Sequence, residues 1–324
     1  MTPASRDALV IAALALVGLA PALFGASSYL LGLMITALIF AGLALSWSIL
    51  GNLGGMVSFG HAAFVGVGAY ASALLVARLG LPTLIAIPLG GVMAAAASLV
   101  MLPALRLSGP YFALAILAYA QIFRVLATEA AWLTGGASGL QRYPGLPKIG
   151  PLDLASREGA YALTLLLVAL TALVYTLIRR SDMGAALRAI GESEDATRVV
   201  GVDSFALKAR MLLLSAFIAG LFGALNAHVI GFLEPDYAFG GGWSVMPIIA
   251  SVFGGYRSVL GPVFGAVVIY LFDQLIAKAF IPVGHEILLG ALLAAMILIA
   301  PNGMASLFAR LTRRGGAQAE ARHV

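Results

Sequence analysis

The chain has 324 residues, of which 61% are hydrophobic and 10% charged, with nineteen Lys and Arg against fourteen Asp and Glu and no cysteine. Soluble domains carry about 25% charged residues, so the polar coat of a soluble enzyme, a nucleic-acid binder or a disordered chain is missing, and disulfide scaffolds and thiolate chemistry are excluded outright. At about 20 residues per membrane-crossing helix, the roughly 198 apolar positions leave room for about ten spans and little else.

Apolar runs fall at 8–25, 29–50, 56–77, 82–105, 109–128, 159–178 and 208–233, with a last one at 286–309. The first starts after Arg6 and Asp7 and is too long for a cleavable signal, so it reads as a span. From 243 to 277 the chain stays apolar, yet Gly254-Gly255-Tyr256-Arg257-Ser258 and Gly261-Pro262 interrupt it. A single straight helix there would measure about 50 Å against a hydrocarbon core of about 30 Å. Two shorter helices joined by the Gly-rich turn are expected instead. The predicted fold is an all-α polytopic membrane protein of about ten transmembrane helices, some broken by Gly-rich stretches.

With both termini cytoplasmic, thirteen basic residues fall inside: Arg6, Arg106, Arg179, Arg180, Arg188, Arg198, Lys208, Arg210, Arg257, Arg310, Arg313, Arg314 and Arg322. Five (Arg78, Arg142, Lys148, Arg157 and Lys278) fall outside, the asymmetry that orients membrane proteins. One transmembrane domain is expected over 1–310, with an external loop at 130–158, a cytoplasmic loop at 179–207 and a polar tail at 311–324. No exact repeat is visible. Gly-interrupted stretches around 51–68 and 251–265 nevertheless fall one in each half, as substrate routes in transporters often do.

Within the cytoplasmic loop, Ser193 can cap a helix, Glu194 and Asp195 suit its positive end, Arg198 suits its negative end, and Gly201 stops it. Such a helix of about two turns, exposing Glu194, Asp195 and Arg198 beside apolar Ala196, Val199 and Val200, suits insertion into a cleft on another protein. The plainer reading is a solvated loop helix joining two spans. No Gly-Lys-Ser/Thr phosphate loop occurs, so ATP-powered transport would need a motor on another chain.

Polar groups at membrane depth are costly and face cavities or partners; His61, Gln121, Arg124, Asn226, His228 and Asp273 qualify. Arg124, one helical turn from Gln121, is expected to turn into the bundle, and Asp273, about one turn before Lys278, to snorkel or pair near the external interface. Tyr29, Tyr111, Trp132, Tyr161 and Trp243 read as interfacial anchors. Gly136-Ala137-Ser138-Gly139 and Ala227-His228 resemble the serine and histidine motifs of rhomboid intramembrane proteases, although Ser138 falls in a loop rather than at a buried helix start.

Taken together, the motifs are similar to those of LivM-type permeases of branched-chain amino acid ABC importers. They are the Gly51–Ala71 stretch with Ser58-Phe59-Gly60-His61, Leu107–Ala113 followed by Gln121–Arg124, Thr134-Gly135-Gly136 with Ser138-Gly139-Leu140, Met183–Ile190 through Gly201, and Gly254-Gly255 with Ser258 and Gly261-Pro262. The sequence departs at Gly191 and Ser193, where Arg and Asn are frequent, and at Arg257, commonly Gly.

The resemblance implies a permease in the bacterial cytoplasmic membrane, with no catalytic residue, no metal and no cofactor of its own, ATP and Mg being bound by partner ATPases. The implied partners are a homologous LivH-like permease, two cytoplasmic ATPase subunits and a periplasmic or lipid-anchored binding protein, with no nucleic acid. Coupling to the ATPase would fall to Gly191, Glu192, Glu194, Asp195, Ala196, Arg198 and Gly201. A translocation path would use Ser58, His61, Tyr111, Gln121, Arg124, Thr134, Gly135, Gly136 and Asn226. Branched-chain or hydrophobic amino acids rank first as substrate, since Val200-Gly201-Val202 lacks the Ser-Gly-Tyr form of urea-type relatives. The alternatives are a permease of this family for urea, amides or aromatic acids, a stand-alone secondary transporter, or an intramembrane protease.

Overall fold

The computed structural model describes residues 11–16, 18–23, 25–141, 143–150, 152–255, 258–281 and 284–299. Arg6, Arg142, Arg257, Arg310, Arg313, Arg314, Arg322 and the tail 311–324 lie outside them. Among the described residues, seven helices are long and apolar enough to cross a membrane: α1 (Ser28–Leu53), α2 (His61–Leu79), α3 (Thr83–Arg106), α4 (Gly109–Glu129), α5 (Arg157–Arg180), α8 (Ser204–Ile230) and α10 (Gly261–Phe280). Shorter pieces are α6 (Asp182–Glu192), α7 (Glu194–Val199), α9 (Gly242–Gly254), α11 (His285–Ile299) and the apolar segment Ile11–Ala22. At 13 residues, α9 is about 20 Å long.

The bundle is built around α8, which is apolar on every side and packs on α1, α2 and α3. Lipid tails are as apolar as Leu, so helices in a membrane associate through close packing and interhelical hydrogen bonds. Both are present here. A Cβ on Gly68 of α2 would enter the carbonyl of Gly220 on α8, so this pair sets the approach of the two helices. Beside it, Ser46 and Ser215 exchange hydroxyl-to-carbonyl hydrogen bonds of 2.7 and 2.9 Å, and His61 Nε2 joins Ser215 Oγ at 3.0 Å.

Ser215 stands about 16 Å along α8 at 1.5 Å per residue, so α2 begins deep inside the bundle. The connecting segment 54–60 climbs to reach it. Trp47 Nε1 donates to the Ser58 carbonyl at 2.9 Å on the way, and Ser244 Oγ of α9 accepts from Ala62 N at 2.9 Å, capping α2 from another helix.

The break expected between 243 and 277 falls at Gly255, whose φ of 93° ends α9. The α9–α10 pair forms a hairpin in which Gly254 and Gly261 touch backbone to backbone. The two Gly-interrupted stretches share a spaced pattern rather than an exact repeat. Gly54, Gly55, Ser58, Phe64, Val67 and Tyr70 recur at one offset as Gly254, Gly255, Ser258, Phe264, Val267 and Tyr270, and Gly55 and Gly255 both take positive φ.

Two of the expected interfacial anchors are buried instead. Tyr161 is packed inside with its hydroxyl donating to the Gly18 carbonyl at 2.6 Å. Trp243 is stacked on Phe40 and donates to the Tyr237 carbonyl at 2.8 Å. Each ring N–H or O–H found an internal carbonyl, which removes the reason for it to seek the water interface. Tyr29, Tyr111 and Trp132 are exposed.

Candidate functional site

At one end of the bundle α5 closes on Arg179 and Arg180, Ser181 caps α6, and α6 buries Leu187 and Ile190 against the bundle. Its last turn meets the 54–55 turn, where Gly55 and Gly191 come within contact distance of each other's backbone. Ser193 then caps α7, its Oγ accepting from Ala196 N at 3.3 Å, and Gly201 at φ 88° ends it.

The short helix has two sides. Outward point Asp195, Val199 and Val200, the two valines 87% and 77% exposed. Inward point Thr197 and Glu194. The sequence pattern placed Glu194 on the exposed side with Asp195 and Arg198. It is instead partly buried, because its carboxylate holds Arg198 at 2.7 Å with one oxygen and Lys208 Nζ at 2.5 Å with the other. A cavity of about 840 Å³ lies behind α7, lined among others by Gly55, Met56, Phe59, Pro110, Phe112, Leu114, Ile190 and Lys208.

The start of α4 walls that cavity, and the rest of α4 is the least covered of the seven long helices. Exposed side chains in the membrane stretches of α3 (Ile85, Val92, Met93) and α5 (Leu166, Leu170, Leu177) are purely apolar, as lipid requires. The exposed face of α4 mixes Leu114, Leu117, Ile122 and Val125 with Gln121 and Arg124. Arg124 does not turn into the bundle. Its guanidinium donates to Gln121 Oε1 at 3.0 Å and pairs with Asp236 at 2.7 Å on the open side. Around it lies a second cavity of about 240 Å³, lined by Arg124, Thr128, Glu129, Ala137, Glu234 and Asp236. One helix face therefore runs from one cavity to the other.

The remaining path candidates divide into separate places. Ser58 and His61 are fully buried, Ser58 with its carbonyl on Trp47 of α1 and His61 against Ser215 of α8. Asn226 donates to Tyr237 Oη at 3.1 Å, in the segment after α8 that also supplies Asp236. That segment contains strand β4 (Phe232–Leu233), antiparallel to β1 (Leu140–Gln141) of the long loop; β2 (Lys148–Ile149) and β3 (Leu152–Asp153) pair within the loop. Thr134 is a clip, its hydroxyl bonding the Ala127 carbonyl at 2.6 Å and receiving Gly136 N at 3.1 Å. Gly135 (φ 80°) and Gly136 (φ 60°) make the turn that follows α4. Asp273 is buried and 3.8 Å from Lys278. Lys208, Asp236 and Tyr237 were not singled out by sequence, since each lies in a different element from its partner and no spacing rule links them.

A family model described as "Branched-chain amino acid transport system / permease component" matches residues 29–300. The chain belongs to that family. Among curated relatives, the permease is 29% identical over 292 residues to the high-affinity branched-chain amino acid transport system permease protein LivM of Escherichia coli K12, covering 82% of this chain and 68% of that one. BraD of Pseudomonas aeruginosa is 22% identical, covering 82% of this chain and 91% of its own length. LivH of Escherichia coli K12 is 26% identical over 127 residues, 39% of this chain and 41% of that one. No solved structure matches.

The histidine that resembled a protease motif has another job in the permease. His228 Nδ1 donates to the Pro144 carbonyl at 2.8 Å, leaving Nε2 to accept from Ser72 Oγ at 2.8 Å. Both ring nitrogens are occupied, and Ser138 sits apart in the one-turn helix Gly136–Ser138. Tyr143 beside it donates to the Ala227 carbonyl at 2.9 Å, and burial pushes its phenol pKa up, so it stays a donor. Together they pin the loop onto the end of α8. His228→Ala strands a hydroxyl and a carbonyl and is expected to cost about 1–3 kcal/mol, read as a lower unfolding temperature in detergent; Ser138→Ala is expected to leave that temperature unchanged.

Proposed function

We propose that this permease crosses a bacterial inner membrane about ten times with both termini in the cytoplasm, and serves as one membrane subunit of an ATP-driven importer of branched-chain or other hydrophobic amino acids. Its companions are a LivH-like permease, two cytoplasmic ATPases and a binding protein that delivers substrate from outside. The observation that carries this reading is α7: a capped, Gly-terminated helix off the end of the bundle, with two bare valines and no nucleotide-binding loop anywhere in the chain. Arg106, Arg179, Arg180, Arg188 and Arg210 belong to the same end, and Arg78, Lys148 and Arg157 to the other, which supports α7 on the cytoplasmic side.

The exposed face of α4 is the wall of the path. It offers Arg124 and Gln121 to a carboxylate and Leu114, Leu117, Ile122 and Val125 to an apolar side chain, which suits a zwitterion with a hydrocarbon substituent. The second permease covers the same face from the opposite side. The relatives named for branched-chain amino acid transport support the substrate class. ATP-driven closure of the motors pushes on residues 192–201, and the bundle alternates between outward- and inward-facing states.

Co-expression with a LivH-like subunit, the two ATPases and the binding protein tests this reading. A stable complex that takes up leucine into liposomes only with internal ATP and liganded binding protein supports it. Uptake by the isolated chain on an ion gradient, with no ATPase, overturns it in favour of a secondary transporter.

A further inference from the structure

The backbone joining α7 to α8 is a poor lever. It passes through Gly201 at φ 88°, a hinge-like turn with no side chain to brace it. What closes the hinge is a side-chain pair. Lys208 lies in the second turn of α8 with its side chain only 7% exposed, and its Nζ meets Glu194 Oε2 of α7 at 2.5 Å. A lysine at the end of a membrane helix ordinarily extends its amine to water; this one turns back towards α7. The same carboxylate holds Arg198 through its other oxygen, so Glu194 is fixed from both sides. Both Glu194 and Lys208 line the large cavity behind α7.

We propose that the Glu194–Lys208 pair is the strut that makes α7 and α8 move as one body. A push on the exposed tip of α7 reaches α8 through this ion pair rather than through the loop. Along α8 it arrives at Ser215, which holds His61 and with it the buried start of α2. Both are positioning residues: neither is placed against substrate or ATP. The inference rests on the importer reading above. Short charge-assisted pairs that are largely out of water resist separation, because either partner alone would be left as a buried, uncompensated charge.

The test uses the complete importer in liposomes, with uptake and ATP hydrolysis measured together. Lys208→Met is expected to keep hydrolysis stimulated by liganded binding protein while substrate moved per ATP falls about tenfold, within the range for a single residue on a coupling route. A Glu194→Cys/Lys208→Cys variant should show the same defect. A short, reducible bifunctional thiol reagent should restore its transport per ATP, and reductant should remove the gain. The unaltered chain has no cysteine, so the reagent should do nothing to the parent importer beyond its effect on the partner subunits. Unchanged transport per ATP in Lys208→Met overturns the strut, as does a cross-linked double variant that stays uncoupled. If the parent chain assembles with no ATPase at all, the importer reading falls and the strut with it.

Discussion

Replacing Val199 and Val200 together with aspartate is expected to lower uptake about 100-fold and to release the ATPases from the purified complex, while the chain still inserts and keeps its unfolding temperature. The size follows from burial. The valines are 87% and 77% exposed in the isolated chain, and covering a Val side chain stabilises an interface by about 1.5 kcal/mol. Two of them give about 3 kcal/mol, close to two decades in affinity, before the cost of setting carboxylates against an apolar cleft. The fold is spared because neither valine contacts the core. Co-purification of ATPase with the tagged permease, alongside a thermal melt, reads both halves of the result. Loss of fold rather than of ATPase would place these valines in the core instead.

Arg124→Ala is expected to lower uptake about tenfold with almost no change in stability, and Arg124→Lys to retain part of the activity. The Arg124–Asp236 pair is open to solvent on both sides, with side chains 41% and 79% exposed, and exposed pairs contribute about 0–1 kcal/mol. Its value lies in the charge it puts beside the α4 cavity. Without it, the charged groups left around that cavity, Glu129, Glu234 and Asp236, are all acidic, which on the proposed path would repel the carboxylate of an incoming amino acid. Lysine keeps the charge but loses the planar fork that bonds Gln121 and Asp236 at once. Initial uptake rates at low substrate, with binding protein in excess, measure this. Unchanged rates for Arg124→Ala would remove α4 from the path.

Hydropathy alone located the long helices, and turn chemistry located the break at Gly255 and the Ser193-to-Gly201 helix, because these depend on neighbours in sequence. Rotation of a helix about its own axis does not. In α1 the buried residues run without a gap from Ala37 to Leu50, so no apolar stripe says which side faces what. Arg124 was expected inside because it shares a helical face with Gln121 and charge is costly at membrane depth; Asp236, which holds it on the open side, lies far along the chain in a segment with no periodic signal. Glu194 looked exposed because the attraction that turns it inward comes from α8. Tyr161 and Trp243 sat near span ends, as anchors do, but their burial depends on Gly18, Tyr237 and Phe40 in other elements.

The reading of α7 as the contact with a cytoplasmic motor is tested most directly by a single cysteine at its tip. In the otherwise cysteine-free chain, Val200→Cys is treated with a membrane-impermeant maleimide in right-side-out and in inverted vesicles, with and without the ATPase subunits. Labelling in inverted vesicles alone, blocked when the ATPases are bound, is the predicted result. Labelling from the outer face, or labelling the ATPases fail to block, contradicts it.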